Sequence, residues 1–341
     1  MVYSWQERLW RDILGAKTRL PHALLLYGRR GIGKLDFAKS LAQALLCEAL
    51  HPSGQGCGGC VSCNWFAAGT HPDFRLLEPE AENVADEDTP AEVRQGGKKA
   101  GNLINIAQIR ELADFVTLSS SRNGARVILI HPAEAMNIHA ANGLLKTLEE
   151  PPPFAVFILV SHQPQKLPAT VRSRCQKIRM PVPSYQESLA WLSGQGVGNP
   201  ELCLAQAGHA PLRAVSVCAE EYQNKRAAFL SRLGDSTGFD PLATAEWAQG
   251  FDLSWVVGWL QTWICDLASM RLTGAARYQL DFARALQNLA KQVDLIQLFD
   301  YHGEVLSVQR TLEHPLNPRL LLERLLIGYQ QLVTGKEPLH V

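Results

Sequence analysis

"ALLLYGRRGIGKLDFAKSLAQALL", residues 23–46, decides the fold. The apolar run Ala23–Tyr27 is short enough for a buried strand and stops at a glycine-rich turn. Ala38, Leu41, Ala42 and Leu45 then recur at helical spacing. Strand, glycine loop and helix in that order are the setting a phosphate-binding loop requires. Gly28, Gly33 and Lys34 fill the fixed positions of G-x-x-x-x-G-K-[ST], with Gly31 between them. In such a loop, backbone N–H groups and the positive end of the helix hold phosphates. The lysine would reach the β- and γ-phosphates. Leu35 stands where a Ser or Thr should bind magnesium.

Working outward, FRLL (74–77), RVILI (126–130) and AVFILV (155–160) read as further strands. Ile106, Ile109, Leu112, Ala113 and Val116 mark one helix between them, and AANGLLKTLEE (140–150) another, stopped by Pro151–Pro153. Alternating strands and helices predict a parallel sheet with helices on both faces. The acidic ligand of magnesium should follow a strand such as RVILI. His131-Pro132 follows instead. Two metal ligands are therefore absent from two distant places, and both absences disable one step. This chain is expected to hydrolyse ATP very slowly or not at all. For nucleotide binding, the glycines and Lys34 argue in favour and the missing ligands argue against.

Eight cysteines divide into a cluster, Cys47, Cys57, Cys60 and Cys63, and a scattered four, Cys175, Cys203, Cys218 and Cys265. Four thiolates can close a tetrahedral shell, which points to structural zinc. The usual ferredoxin run of an iron–sulfur protein is absent. Free thiols or a redox pair are the remaining readings. Gly56, Gly58 and Gly59 supply tight turns between the sulfurs. No basic residues crowd this module, so it reads as a packing or docking element rather than a DNA reader. The scattered cysteines read as small apolar residues.

Residues 78–101 carry Glu78, Glu80, Glu82, Asp86, Glu87, Asp88 and Glu92 with prolines and a Gly-Gly-Lys-Lys run, and read as a solvated loop. Beyond Pro181 and Pro183 the strand signals fade. Three helical stripes follow: Leu253, Val256, Val257, Leu260, Ile264 and Leu267; Phe282, Leu286, Leu289, Val293 and Ile296; Leu322, Leu325, Leu326, Tyr329 and Val333. The C-terminal half is thus mainly α-helical.

The chain of 341 residues holds 33 basic and 33 acidic side chains. Balanced charge argues against a free-standing, strongly DNA-binding protein. No apolar run approaches the length of a membrane span, and MVYSWQERLW does not read as a signal peptide, so a cytoplasmic address is expected.

Together RLPHALLLYGRRGIGK (19–34), the four-cysteine insert, NGLLKTLEEPP (142–152) and LPATVRSRCQ (167–176) resemble the AAA+ clamp-loader subunits of bacterial replicases. HPLNPRLLLERLL (314–326) is similar to their C-terminal collar segment. The resemblance covers nearly the whole chain. It implies a P-loop-type α/β AAA+ domain over residues 1–182, with a zinc module at about 47–66. A small helical lid at 183–217 and an all-helical collar at 218–341 complete the expected plan.

The family is a pentameric arc that uses ATP to open a ring-shaped sliding clamp and place it on primed DNA. The implied partners are motor subunits, a delta-like subunit, the clamp and the DNA, with no membrane. In this family the arginine of Ser-Arg-Cys, here Arg174, reaches ATP on a neighbouring motor subunit. Arg172 has no such support and reads as solvated. Ser161 and Arg213 fall at the positions of two nucleotide sensors, and His131 reads as a packed or surface histidine. The departures at Leu35 and His131-Pro132 resemble a member that does not hydrolyse ATP. The competing readings are an ATP-hydrolysing motor subunit and a zinc-dependent nucleic-acid binder.

Overall fold

The computed structural model describes residues 2–15, 20–79, 103–117, 124–235, 238–311 and 317–335. The acidic segment lies outside these residues except for Glu78 and Pro79. Two compact units emerge, Met1–Pro183 and Ser184–Val341.

The first unit runs α1 (Glu7–Gly15), β1 (Ala23–Tyr27), α2 (Lys34–Leu46), α3 (Val61–Ala67), β2 (Phe74–Leu77), α4 (Ile106–Thr117), β3 (Arg126–Ile130), α5 (Ile138–Glu149), β4 (Ala155–Ser161), α6 (Ala169–Arg174) and β5 (Gln176–Arg179). All five strands are parallel, in the order β2-β3-β4-β1-β5. Successive side chains of a strand point to opposite faces. Leu24 and Leu26 accordingly join Val127, Leu129, Ile158 and Val160 in one core, closed by Trp10 of α1 and Phe37 and Leu41 of α2. Ala23 and Leu25 join Ile128, Phe157 and Leu159 in the other, closed by Ile109 and Leu112 of α4 and Leu144 of α5. Both faces are covered, which is why these strands read as unbroken apolar runs.

Polar groups are satisfied at the element ends. Asn137 accepts from the Ala140 N–H at 2.8 Å and caps α5. Arg126 is buried, donates to the Phe115 carbonyl at 2.7 Å at the end of α4, and pairs with Asp73 at 3.5 Å. A cation there also meets the negative end of the helix dipole.

The second unit is wholly helical among its described residues: α7 (Tyr185–Gly194), α8 (Pro200–Gln206), α9 (Pro211–Val217), α10 (Glu220–Gly234), α11 (Pro241–Ala248), α12 (Leu253–Thr273), α13 (Ala283–Ala290), α14 (Leu295–Thr311) and α15 (Pro318–Thr334). Ser184 and Glu187 form a capping box that starts α7. A small core gathers Leu192, Leu204, Ala214 and Val217 from α7–α9. A larger core gathers the other helices around Trp259, Trp263 and Tyr329. Trp263 Nε1 donates to the Tyr329 hydroxyl at 2.9 Å, which donates to the Leu233 carbonyl at 2.8 Å.

Two expectations change here. The stripe from Phe282 to Ile296 is not one helix. It breaks between α13 and α14, and Ile296 is 74% exposed. Asp294 accepts from the Ile296 and Gln297 N–H groups and starts the new helix. An acidic cap inside an apparent apolar period marks a boundary rather than a turn of the same helix. Cys203 and Cys218, read as separate apolar residues, are joined in a disulfide between α8 and the residue after α9, with Cα atoms 5.6 Å apart.

The loop after α12 is held by one carboxylate. Asp266 is fully buried and accepts from the N–H groups of Arg277, Tyr278 and Gln279 at 2.7, 3.1 and 2.6 Å. Gln279 in turn accepts from the buried Arg226 Nε at 2.8 Å, and Asp281 takes the Arg226 fork at 2.6 and 3.0 Å. Removing the Asp266 carboxylate leaves buried donors unmet. Asp266→Ala should cost about 3 kcal/mol in chemical denaturation. A loss below about 0.5 kcal/mol, the level of an ordinary surface change, would refute the role given to this carboxylate.

Candidate functional site

The glycine loop closes at the C-terminal end of β1. Gly28 donates its N–H to the Ser161 carbonyl at 3.3 Å, which ties the loop to the end of β4. Gly31 and Gly33 have φ of 80° and 84°, a backbone region that favours glycine. Gly33 has a second constraint. A Cβ there would sit 2.4 Å from the Tyr3 ring.

The segment before α1 lies against the loop. Gln6 donates to the Ile32 and Gly33 carbonyls at 2.9 and 3.0 Å, Trp5 Nε1 donates to Ile32 at 3.2 Å, and the Tyr3 hydroxyl donates to Asp36 at 2.9 Å. Lys34 is 2% exposed, and its ammonium donates to the Arg29 carbonyl of the same loop. Burial pushes its pKa down to about 8, although the nearby Glu134 works the other way. Leu35 packs against the apolar core below the loop. Its side chain thus serves packing at the position where a metal ligand belongs.

At the end of β3, His131 Nδ1 lies 3.2 Å from Glu78, and its ring meets that of His162 edge-on at 5.4 Å. Burial holds His131 below the ordinary imidazole value. Pro132 leads into a short 3-10 turn, Ala133–Ala135, that turns Glu134 back toward β4. The Glu134 carboxylate accepts from the N–H groups of His162 and Gln163 at 2.8 and 3.1 Å. Burial works to raise this carboxyl, and its hydrogen bonds outweigh burial and hold it low. Burial and then the charge on Lys34 push His162 down to about 4. Sequence reasoning missed Glu134 and His162. The motif puts its acid immediately after the strand, and only the path of the 3-10 turn shows that a carboxylate three residues later comes back. Ser161 is fully buried at the end of β4.

Arg174 ends α6. Its Nη1 donates to the Thr170 carbonyl at 2.9 Å, and its Nη2 pairs with Glu149 at the end of α5. The side chain keeps 33% exposure. Arg172, expected to be solvated, is half-buried, with Nε out of solvent. Cys175 is buried, and burial pushes its thiol up to about 11. Arg213 lies exposed on α9 in the second unit.

The cysteine cluster assembles as spaced. Cys47 follows α2, Cys60 caps α3, and Cys63 lies within α3. With Cys57, their sulfurs all lie within 4.8 Å of one another. A zinc shell with Zn–S of about 2.3 Å sets sulfurs about 3.8 Å apart. Cys47 and Cys60 stand at 3.9 Å. Backbone N–H groups of Cys57, Cys60 and Cys63 point at the sulfurs of Cys47, Cys57 and Cys60, at 3.2, 3.3 and 3.3 Å. Such bonds favour the thiolate, the form that binds metal. A Cβ at Gly56 would press on Gln43 at 2.8 Å, and Gly58 takes φ of 75°. Gly59 stands in open space. The arrangement can hold one metal ion in a closed shell.

Elsewhere, no helix among the described residues is long and apolar enough to cross a membrane.

Comparison with known proteins follows the same residues. The family model described as "DNA polymerase III, delta subunit" matches residues 6–184, and "DNA polymerase III, delta subunit, C terminal" matches 220–331. The DNA polymerase III subunit delta' of Pseudomonas aeruginosa is 36% identical, over 97% of this chain and 98% of that protein. The delta' subunit of Yersinia pestis is 30% identical, over 87% and 86% of the two chains. A solved gamma-subunit-related protein of Thermotoga maritima aligns over 96% of this chain and 99% of its own at 16% identity, with a TM-score of 0.42. A parallel glycine-loop sheet, a four-cysteine insert and a helical C-terminal unit, matched along nearly the full length by delta' subunits, place this chain in the delta-prime family of DNA polymerase III clamp-loader subunits.

Proposed function

We propose that this chain is a clamp-loader subunit that does not hydrolyse ATP and lends Arg174 to the ATP site of a neighbouring motor subunit. The observation that carries the reading is the contrast between two cations. Lys34 is sealed and bonded to its own loop, whereas the Arg174 guanidinium stands part-exposed at a helix end. Leu35 and Pro132 bring no oxygen to a metal, and phosphoryl transfer depends on that metal. An arginine supplied from outside stabilises the charge that develops on the transferring phosphoryl group.

The remaining roles follow from the family. The partners are motor subunits and a delta-like subunit in a pentamer, which loads a sliding clamp onto primed DNA in the cytoplasm. The chain is non-catalytic within a nucleotidyltransferase holoenzyme. Residues 183–217 act as the lid and 218–341 as the collar. The separate small core of α7–α9 supports that division. Ser161 acts through its carbonyl, which accepts from Gly28, its hydroxyl being buried with no hydrogen-bond partner among the described residues, and Arg213 senses no hydrolysis in this chain. Cys47, Cys57, Cys60 and Cys63 hold a structural zinc. Gly28, Gly31, Gly33 and Lys34 keep the shape of a phosphate loop without its turnover.

The purified chain, with ATP and Mg²⁺, should show no turnover, whether or not equilibrium dialysis detects binding. Turnover that disappears with Lys34→Ala would make this chain a motor subunit instead. In the reconstituted assembly, Arg174→Ala should cut DNA-stimulated ATP turnover about tenfold or more while gel filtration shows intact assembly. An unchanged rate would remove the finger role. Atomic absorption should find one zinc per chain, and Cys60→Ser should abolish it and lower Tm. Metal-free wild-type protein with an unaltered Tm would overturn the zinc assignment.

A further inference from the structure

The motif Leu148-Glu149-Glu150-Pro151 is left without a task by the reading above, and the structure assigns one to its first carboxylate. We propose that Glu149 is a positioning residue for Arg174, aiming the guanidinium at a phosphate outside this chain. The inference rests on the finger reading of Arg174.

The geometry is specific. Arg174 lies in the last turn of the six-residue helix α6, so its backbone alone gives the long side chain little direction. Two acceptors supply it. Nη1 donates back to the Thr170 carbonyl, one turn earlier, at 2.9 Å, and Nη2 forms an ion pair with Glu149 Oε1. The planar fork is thereby fixed along two of its edges. Its Nε N–H and remaining Nη2 N–H have no hydrogen-bond partner among the described residues, and the side chain keeps 33% exposure. A fork held on one side and open on the other is ready to receive a phosphate oxygen pair.

Stability does not explain the pair. Glu149 is 47% exposed, and ion pairs this open contribute little to folding. The location is also unfavourable for a carboxylate. Glu149 is the last residue of α5, where the helix dipole is negative and favours a cation. Glu150 caps the helix, and Pro151 and Pro152 after it stop the chain from continuing as helix. An acidic residue at an unfavourable helix end, facing an arginine whose other edge is free, orients that arginine.

The test uses the assembly reconstituted with this chain and its own clamp-loader partners. Steady-state DNA-stimulated ATP turnover is measured for Glu149→Ala, Glu149→Gln, Arg174→Ala and the double variant with both alanines. A misaimed finger weakens the transition state rather than substrate binding. Glu149→Ala should therefore lower kcat about tenfold with KM for ATP unchanged. Glu149→Gln keeps an oxygen acceptor for Nη2 and should restore most of the rate. The double variant should be no slower than Arg174→Ala, because the carboxylate acts only through the arginine. Thermal melting of the isolated variants should match wild type.

If Arg174→Ala is slow but Glu149→Ala is at or above the wild-type rate, the positioning role is overturned and the finger stands. An added loss in the double variant also overturns it, because Glu149 then acts elsewhere. An unaffected Arg174→Ala sinks the finger reading and this inference with it.

Discussion

Strand β1 has no solvent face, and the first unit is built around that constraint. Leu24, Leu25 and Leu26 are each fully buried, with alternate side chains entering opposite cores. Each such burial stabilises by about 2 kcal/mol. The strand also fixes position. It pairs in parallel with β4 on one side and β5 on the other. Its C-terminal end delivers the glycine loop beside Ser161, and β5, paired with it, directly follows the helix that carries Arg174. The loop thus leaves one end of this parallel pair, and Arg174 precedes the other, where Gln176 of β5 lies beside Leu24 of β1. One pair of buried strands therefore sets the position of both segments.

Much of this was legible from residue types alone. The unbroken runs ALLLY, RVILI and AVFILV announced a sheet buried on both faces, and each became a strand with nearly the expected limits. The cysteine spacing announced a four-sulfur cluster, because thiolates that close in sequence need only one tight turn to meet. The regions that escaped had weaker local signals. Strand β5, QKIR, is an edge strand with one apolar residue, and nothing in its period marks it. The stripe through Phe282 and Ile296 kept a helical period across a break, because Asp294 caps a new helix without disturbing the count. Glu134 was hidden by a turn rather than by sequence distance.

The cysteines show how context decides a side chain's role. Six of the eight form no disulfide, and the sulfurs of four of those lie together. Cys203 and Cys218 instead meet because α8 and α9 pack as a small hairpin in which the end of α9 returns to α8. Only tertiary folding sets a pair fifteen residues apart at 5.6 Å between Cα atoms. A spacing that reads as noise in the sequence becomes a crosslink once two short helices fold back on each other.

The C-terminal half of the phosphate loop is buried, from Ile32 to Lys34, while Arg29 and Arg30 stay exposed. Three side chains of one short segment, Tyr3, Trp5 and Gln6, bond to the loop or to the helix it opens. Gly33 leaves the Tyr3 ring its space, so that glycine is required by packing as well as by φ. Lys34 spends its charge on a carbonyl of its own loop, and burial lowers its affinity for the proton. In a working ATPase these groups would be held open for a ligand, at a cost in stability that the ligand repays. Here Lys34 and the carbonyls of Ile32 and Gly33 have partners within the chain. The glycines and the lysine of this phosphate-loop signature are therefore fixed by packing and by partners within the chain.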